Sequence, residues 1–340
     1  MIVIIEIKDL RVSFHTYFGE VQAVRGVNLK LNDNDTLAIV GESGCGKSVT
    51  ALSIMRIHNM ETTEFKSGKI LFDGTDLFKL SEKEMQNIRG NQIGMIFQDP
   101  MTALNPSMTV GNQIAEVLLR HGRDANAKRL SSKDAKERAI ELLRRVKTPS
   151  PERRANQFPY EFSGGMLQRA VIAMAMACSP KVLIADEPTT ALDVTVQAQI
   201  LDLIKEMQSE RRVSLIIITH DLGVVANIAK NVAVMYGGLI VESGAIGDIF
   251  YRSSHPYTRG LLDSISRKNG AKNEPLRSIE GTPPDLVDPP AGCPFTDRCE
   301  YAMRVCKDHM PPESALSETH LCRCWMLDPE CPLKLERRKL

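Results

Sequence analysis

Short runs of apolar, β-branched residues separated by turn residues fill the first 40 positions of the chain. The runs "IVIIEI", "AVRGVNLKL" and "TLAIVG" predict strands of a mixed sheet, and the last run leads into a glycine-rich segment. From Val49 to about Ile57 the apolar spacing becomes helical. The runs "GKILFDG" and "IGMIFQDP" predict two further strands, the second of which ends at Pro100.

The middle of the chain alternates helical and strand patterns. Between Val110 and Val146 the pattern predicts helix, and four apolar residues share one face of the stretch "KDAKERAIELLRRV". These are Ala135, Ala139, Leu142 and Val146. The basic side of this helix is expected to be a solvated outer face. The runs "KVLIADEP" and "SLIIITHD" predict parallel strands that are buried on both faces, which indicates an α/β fold.

After about Pro256 the pattern changes, because Pro and Gly become frequent and no period is visible. We place a boundary between residues 255 and 285, which gives a main domain over 1–260 and an extension over 261–340.

The composition and the lengths of the apolar runs argue against a nucleic-acid partner, a signal peptide and a membrane span. Among 340 residues, Lys and Arg number 43 and Asp and Glu 42, so the net charge of +1 creates no global field for nucleic acid, and no such partner is expected. The start "MIVIIEIKDL" carries Glu6 and no basic leader, which argues against a signal peptide. Since no run reaches the roughly 18 apolar residues of a membrane span, we expect a cytoplasmic chain.

The glycine-rich segment "GESGCGKS" fits the phosphate-binding pattern G-x-x-x-x-G-K-S/T. Lys47 is placed to reach the β and γ phosphates of a nucleotide, and Ser48 to ligate Mg²⁺. A chance glycine turn is the alternative, but the strand before the segment and the helix after it favour a P-loop. The predicted nucleotide contacts in this loop are Gly41, Ser43, Gly44, Cys45, Gly46, Lys47, Ser48 and Val49.

Two other segments carry candidate chemistry. Asp186 ends the apolar run "VLIAD", where a carboxylate can hold hydrated Mg²⁺, and Glu187 follows as the group for an attacking water. The loop of Ser163, Gly164 and Gly165 precedes a helix with an apolar stripe, so it presents N–H groups at a helix start. Taken alone, this loop is equally well explained as an ordinary serine N-cap.

Together these motifs resemble the ATP-binding subunits of ABC transporters over about residues 4 to 265. The family shows a P-loop, a Q-loop glutamine, an S-G-G signature, a Walker B acid with glutamate, a D-loop and a switch histidine. Here they stand in that order as Lys47, Gln98, Ser163–Gly165, Asp186 with Glu187, Asp193 and His220. Phe162 and Met166 replace the commoner Leu and Gln of the signature.

The resemblance implies a P-loop NTPase fold with a mixed N-terminal β subdomain, a helical subdomain at about 100–178 and a cysteine-rich C-terminal extension. It also implies that two such subunits pack head to tail, with each ATP between the P-loop of one and the signature of the other. Glu187 would polarise the attacking water, His220 would contact the γ-phosphate, and Gln98 would sense Mg²⁺ and the γ-phosphate. Asp193 would act across the dimer.

In this family the adenine base stacks on an aromatic side chain before the P-loop. Phe14 stands at the expected offset from "VQAVRG", with Tyr17 as the second candidate. An aromatic side chain at a strand end can equally belong to the core.

Longer stretches resemble one branch of the family, the ATPases of dipeptide, oligopeptide and nickel importers. They are "IGMIFQDPMTALNPSMTVG", "SGGMLQRAVIAMAMACSPKVLIADEPTTALDVTVQAQIL" and "HPYTRGLLDSI". The branch implies a second homologous ATPase, two membrane permeases, indirectly an extracytoplasmic peptide-binding protein, and a peripheral position on the cytoplasmic face of the membrane. The cargo stays open among dipeptides, oligopeptides and nickel.

Two other functions are compatible with an ABC-type nucleotide site. A soluble ABC ATPase of DNA repair would carry a long insertion, whereas only 64 residues separate Gln98 from Ser163. An inactive regulatory partner is disfavoured by the presence of Glu187 and His220.

Six of the eight cysteines fall in the last 50 residues. In a chain without an export signal this clustering favours metal over disulfides. The spacing of Cys293, Cys299, Cys306 and Cys324 suits a 4Fe–4S cluster better than a zinc ribbon, and the branch resemblance implies a cluster as well. Cys322 competes with Cys324 for the fourth position, and reduced structural thiols are the alternative.

Overall fold

A computed structural model describes residues 2–123, 128–190, 192–264 and 279–333. The strands are β1 Val3–Thr16, β2 Gly19–Asn32, β3 Thr36–Val40, β4 Thr63–Phe72, β5 Thr75–Asp76, β6 Ile93–Ile96, β7 Val182–Asp186, β8 Ser214–Thr219, β9 Asn231–Tyr236, β10 Leu239–Ala245, β11 Ser314–Ala315 and β12 Leu321–Cys322. The helices are α1 Lys47–Met55, α2 Glu82–Ile88, α3 Pro100–Ala103, α4 Val110–His121, α5 Ser132–Arg145, α6 Pro151–Arg154, α7 Gly164–Ala175, α8 Val194–Arg211, α9 Leu222–Ile228, α10 Ile246–Arg252, α11 Pro256–Asp263 and α12 Arg304–Asp308.

The chain divides into two compact units. Of the described residues, the first unit comprises those within 1–2, 32–35 and 79–218, and the second comprises those within 3–31, 36–78 and 219–340.

The first unit holds parallel strands surrounded by helices. β6, β7 and β8 pair in parallel, with Ile93 opposite Val182 and Val182 opposite Ser214. Every residue of these strands is buried, because helices cover both faces of a parallel sheet and leave no polar side. The predictions of strands at "IGMI", "VLIAD" and "SLIIIT" are therefore confirmed.

The region predicted as helical between residues 110 and 146 contains α4 and α5. The four apolar residues predicted to share the inner face of α5 and its C-terminal end are all buried: Ala135, Ala139, Leu142 and Val146. Ser131 caps α5, since its side chain accepts a hydrogen bond from the Asp134 N–H. The amphipathic pattern in the sequence thus identified the buried face of this helix.

The second unit contains two sheet segments. Strands β2, β1, β4 and β5 form a four-stranded sheet in that order, and β1 runs antiparallel to β4. In the other segment β3 pairs in parallel with β9, β9 pairs with β10, and β10 pairs with the short strand β12 of the C-terminal segment. Every residue of β3 is buried, and the loop that follows β3 leads into α1.

Candidate functional site

The P-loop lies in the second unit between β3 and α1, and its backbone requires glycine at two close approaches. Gly46 has a φ of +104°, and a Cβ added there would lie 2.4 Å from the Ala23 carbonyl oxygen. A Cβ on Gly41 would lie 2.1 Å from the carbonyl oxygen of Met235. These positions accept no side chain, because both neighbouring atoms are backbone atoms.

Lys47 is the first residue of α1 and is only 5% exposed. Its Nζ donates hydrogen bonds of 2.8 Å to the carbonyl oxygens of Gly41 and Glu42, so the loop is folded around the ammonium group. No side chain caps α1. The first N–H groups of the helix and the nearby cation therefore suit a polyphosphate.

The other predicted contacts of the P-loop differ in exposure. Ser43 and Gly44 are exposed at the tip of the loop, whereas Ser48 and Val49 are half-buried on α1. Cys45 is buried, and burial raises the pKa of its thiol. Cys45 is thus held as a neutral packing residue within the loop.

The candidate carboxylates lie in the first unit at the end of β7. Asp186 is buried, and Glu187 follows with a φ of +45°, a left-handed conformation. The Gln98 amide donates to Glu187 Oε2 over 3.2 Å, and the Thr190 hydroxyl donates to the same oxygen over 2.8 Å. The structure therefore brings Gln98 and Glu187 together across 89 positions of sequence.

Thr190 was missed by the sequence analysis. Its only signal was a hydroxyl residue one turn after the glutamate in "DEPTT". Glu187 combines a strained backbone with a carboxylate that accepts hydrogen bonds from Gln98 and Thr190, and such a combination is typical of a functional site.

The signature loop lies at the start of α7 in the first unit. Ser163 is the N-cap residue, but its side chain makes no capping hydrogen bond, and Ser163 and Gly164 are exposed. A Cβ on Gly165 would lie 2.9 Å from Val196 Cγ1, so this glycine permits close packing against α8. Asp193 caps α8 by accepting a 2.9 Å hydrogen bond from the Val196 N–H. An exposed helix start suits an anion brought by another molecule.

In the second unit, His220 is exposed in the segment before α9. Phe14 lies in β1, is half-buried and packs edge-on against His58, with 5.7 Å between ring centroids. By contrast, Tyr17 is 98% exposed and Phe18 is 85% exposed in the turn between β1 and β2. Phe18, which the sequence analysis did not name, stands beside Tyr17 and directly before Gly19, the first residue of β2.

The prediction of a 4Fe–4S cluster is wrong. Among the residues that the structure describes, no group of three or more Cys, His, Asp or Glu side chains could hold a metal ion. The proposed ligands Cys293, Cys299, Cys306 and Cys324 do line one pocket. Burial raises the pKa of Cys299 to about 11 and that of Cys324 to about 12, which favours the neutral thiol of both residues.

The competing ligand Cys322 is buried on β12, and burial raises the pKa of its thiol as well. None of the eight cysteines, all of which are described, is in a disulfide.

Comparison with known proteins identifies the family. Residues 24–190 match the family described as "ABC transporter". The chain is 56% identical to the oligopeptide transport ATP-binding protein OppD of Bacillus subtilis over 99% of this chain and 94% of that protein. This chain belongs to the ABC transporter ATPases. Residues 241–306 of the ABC ATPase match the family described as "Oligopeptide/dipeptide transporter, C-terminal region".

Further relatives agree with this assignment. The ABC ATPase is 51% identical to the dipeptide transport ATP-binding protein DppD of Lactococcus lactis subsp. cremoris, over 97% of this chain and 92% of that protein. A solved dimeric ATP-binding cassette in a post-hydrolysis state, bound to ADP and Pi, is similar with a TM-score of 0.63 and 27% identity. The match covers 71% of this chain and 98% of the chain of that cassette.

Membership of the family establishes the P-loop NTPase fold and ATP hydrolysis with Mg²⁺ as the activity of this chain. The 56% identity to a protein named for oligopeptide transport sets aside the rival interpretation as a DNA repair ATPase. Within the described ranges, no helix combines the length and the apolar character that crossing a bilayer demands.

Proposed function

We propose that this ABC ATPase powers the import of dipeptides or oligopeptides through a membrane transporter. The observation that carries the proposal is the 56% identity over nearly the whole chain to a protein named for oligopeptide transport. The match of residues 241–306 to the C-terminal region of such transporters supports it. The ATPase would work on the cytoplasmic face of the membrane with a second homologous ATPase, two permeases and, indirectly, an extracytoplasmic binding protein.

In this proposal the P-loop holds the phosphates of ATP. The start of α1 carries no side-chain cap, so its N–H groups face the anion, and Lys47 adds a positive charge that its buried stem holds in place. The phosphates would draw the Lys47 ammonium away from the carbonyl groups of Gly41 and Glu42. Bound Mg²⁺ would neutralise phosphate charge, with Ser48, Gln98 and Asp186 as the residues that hold it.

Glu187 would polarise the attacking water. Gln98 and Thr190 both donate to its Oε2 atom, which fixes the plane of the carboxylate before substrate arrives. His220 would contact the γ-phosphate. Because Gln98 and Thr190 orient the Glu187 carboxylate, little reorganisation of that carboxylate would be needed at the moment of hydrolysis.

The signature would serve the nucleotide of the partner subunit. Ser163 and Gly164 are exposed and the Ser163 hydroxyl is not used to cap α7, which supports a role toward a phosphate from outside the chain. Gly165 and Asp193 would position this surface. We retain the boundary near residue 260 between the ATP-binding domain and the C-terminal extension as part of the proposal.

The catalytic assignment is tested with Glu187→Gln, which removes the charge and keeps the shape. In single-turnover hydrolysis we expect this variant to bind ATP but to lose about 100-fold or more in rate. Glu206→Gln is the matched control, because that carboxylate pairs with Lys147 on the surface of α8. Hydrolysis at the parental rate in Glu187→Gln would remove Glu187 from its role.

The cargo is tested with the complete transporter. The permeases and second ATPase that co-purify with this chain from membrane extract would be reconstituted in proteoliposomes with the matching binding protein. ATP-dependent uptake of a labelled dipeptide, of a longer peptide and of Ni²⁺ would then be compared. Uptake of Ni²⁺ without either peptide would contradict the proposal.

A further inference from the structure

Glu42, the second residue of the P-loop, is held through each of its polar groups. Its N–H donates a 2.8 Å hydrogen bond to the Tyr257 hydroxyl, and its carbonyl oxygen accepts from Lys47 Nζ. Its carboxylate is gripped by both ends of one guanidinium: Arg298 Nη1 lies 2.6 Å from Oε2, and Nη2 lies 3.0 Å from Oε1. A two-pronged charged contact fixes orientation as well as distance.

Arg298 comes from the C-terminal segment and is itself fixed. Its side chain is 5% exposed. Its Nε donates to the Glu280 carbonyl oxygen over 2.9 Å, its Nη2 to the Ile279 carbonyl oxygen over 3.1 Å, and its Nη1 to the Tyr236 hydroxyl over 3.2 Å. The hydrogen bond to Glu42 raises the pKa of Arg298, so this group keeps its charge. The guanidinium therefore acts as a rigid bracket rather than as a mobile surface charge.

A cluster of three buried rings supports this contact. The Tyr236 and Tyr257 rings lie 4.5 Å apart, and the Phe295 ring lies 5.3 Å from Tyr257. The Gly238 N–H, at the turn after Tyr236, donates to the Cys45 carbonyl oxygen over 3.1 Å. Hydrogen bonds at Glu42 and at Cys45 therefore connect the P-loop to the ring cluster and to the turn beside it. Residues 279–299 contact the same cluster.

A loop that wraps a polyphosphate loses conformational freedom on binding, and a loop that is already fixed loses less. We propose that Arg298 is a positioning residue that holds the P-loop, through Glu42, in its nucleotide-binding conformation. The C-terminal extension thereby sets the affinity of the ABC ATPase for ATP. This inference rests on the proposed nucleotide site.

The test compares equilibrium ATP affinity, kcat and thermal unfolding in the full chain. Arg298→Met removes both prongs, and we expect it to raise the Kd and KM for ATP about tenfold while kcat changes less than about twofold. Arg298→Lys keeps the charge but not the fork, so it should restore part of the affinity. Glu42→Gln, a milder change at a partly exposed side chain, should raise Kd in the same way if Arg298→Met does not fold.

Arg25→Met is the matched control. Arg25 binds the same C-terminal segment, at the Pro290 carbonyl oxygen over 3.0 Å, and also the Gly237 carbonyl oxygen over 3.3 Å. In the part of the chain that the structure describes, the Arg25 side chain donates hydrogen bonds to these two carbonyl oxygens and to none in the P-loop. We expect Arg25→Met to lower the unfolding temperature and to leave Kd within about twofold of the parent. An equal rise in Kd in Arg25→Met would overturn the inference, because general loosening of the segment would then explain it.

Two further variants separate the causes. If Arg298 positions the P-loop, the double variant Arg298→Met/Glu42→Gln should bind ATP no better than Arg298→Met. If the double variant instead recovers the parental affinity, the unpaired charge of Glu42 caused the loss in Arg298→Met, and the positioning role is overturned. Lys47→Ala tests the nucleotide site itself. Loss of ATP binding in Lys47→Ala with parental Kd in Arg298→Met would refute this inference alone, whereas parental binding in Lys47→Ala would refute the proposed site.

Discussion

Replacement of Gly46 by alanine should destabilise the chain far more than the same replacement two residues earlier. Gly46 has a φ of +104°, and its added Cβ would lie 2.4 Å from the Ala23 carbonyl oxygen and 2.6 Å from Met235 Cε. Gly44 has a φ of +78°, but a Cβ there would meet nothing within 4 Å. The two variants therefore share the cost of a left-handed alanine and differ in steric overlap.

A left-handed non-glycine residue costs about 1 kcal/mol. At Gly46 the Ala23 carbonyl group belongs to β2 and must move by about 1 Å to reach an ordinary contact, which adds roughly 2 kcal/mol. We expect Gly44→Ala to lower the free energy of unfolding by about 1 kcal/mol and Gly46→Ala by about 3 kcal/mol.

The assay is urea unfolding followed by far-UV circular dichroism without nucleotide, so that effects on ATP binding do not enter. The difference between the two variants measures the steric overlap at Gly46, with the Ala23 carbonyl oxygen and with Met235 Cε. Equal midpoints for Gly44→Ala and Gly46→Ala would refute the reasoning, because the close approach at Gly46 would then carry no energy.

Two other predictions follow from exposure and burial. Because Tyr17 and Phe18 are exposed whereas Phe14 packs on His58, the double variant Tyr17→Ala/Phe18→Ala should weaken ATP binding about tenfold, and Phe14→Ala should chiefly lower the unfolding temperature. The reverse outcome would identify Phe14 as the stacking group. Burial lowers the pKa of His255 from 6.5 to about 4, so between these pH values His255 is protonated in the unfolded chain and neutral in the folded chain. The free energy of unfolding should therefore be highest above about pH 6.5 and should fall by up to about 3 kcal/mol as the pH is lowered to 4. In urea unfolding at a series of pH values, His255→Asn should make this dependence on pH weaker.

The sequence predicted the local elements well. Strands β3, β7 and β8 are uninterrupted apolar runs, and such runs are buried wherever the chain takes them. The spacing of Gly41, Gly46 and Lys47 also specifies a loop by itself, because steric exclusion at glycine and the start of a helix are local properties.

The cysteine pattern shows where this reasoning fails. Spacing along the chain limits how far apart thiols can lie, but whether they converge on one point in ionised form depends on the packing around them. Burial of Cys299 and Cys324 favours the protonated thiol, and no spacing rule contains that free energy. The predicted cluster was wrong because, in the part of the chain that the structure describes, no group of three or more Cys, His, Asp or Glu side chains could hold a metal ion.

The sequence by itself determined the strands, the phosphate loop and the family motifs, because each depends on residues within a few positions of one another. Only the tertiary structure decided which distant groups meet. Gln98 reaches Glu187 across 89 positions, and Arg298 reaches Glu42 across 256. Such contacts follow from the path of the whole chain, which is fixed by the summed burial and pairing of all elements rather than by any local pattern.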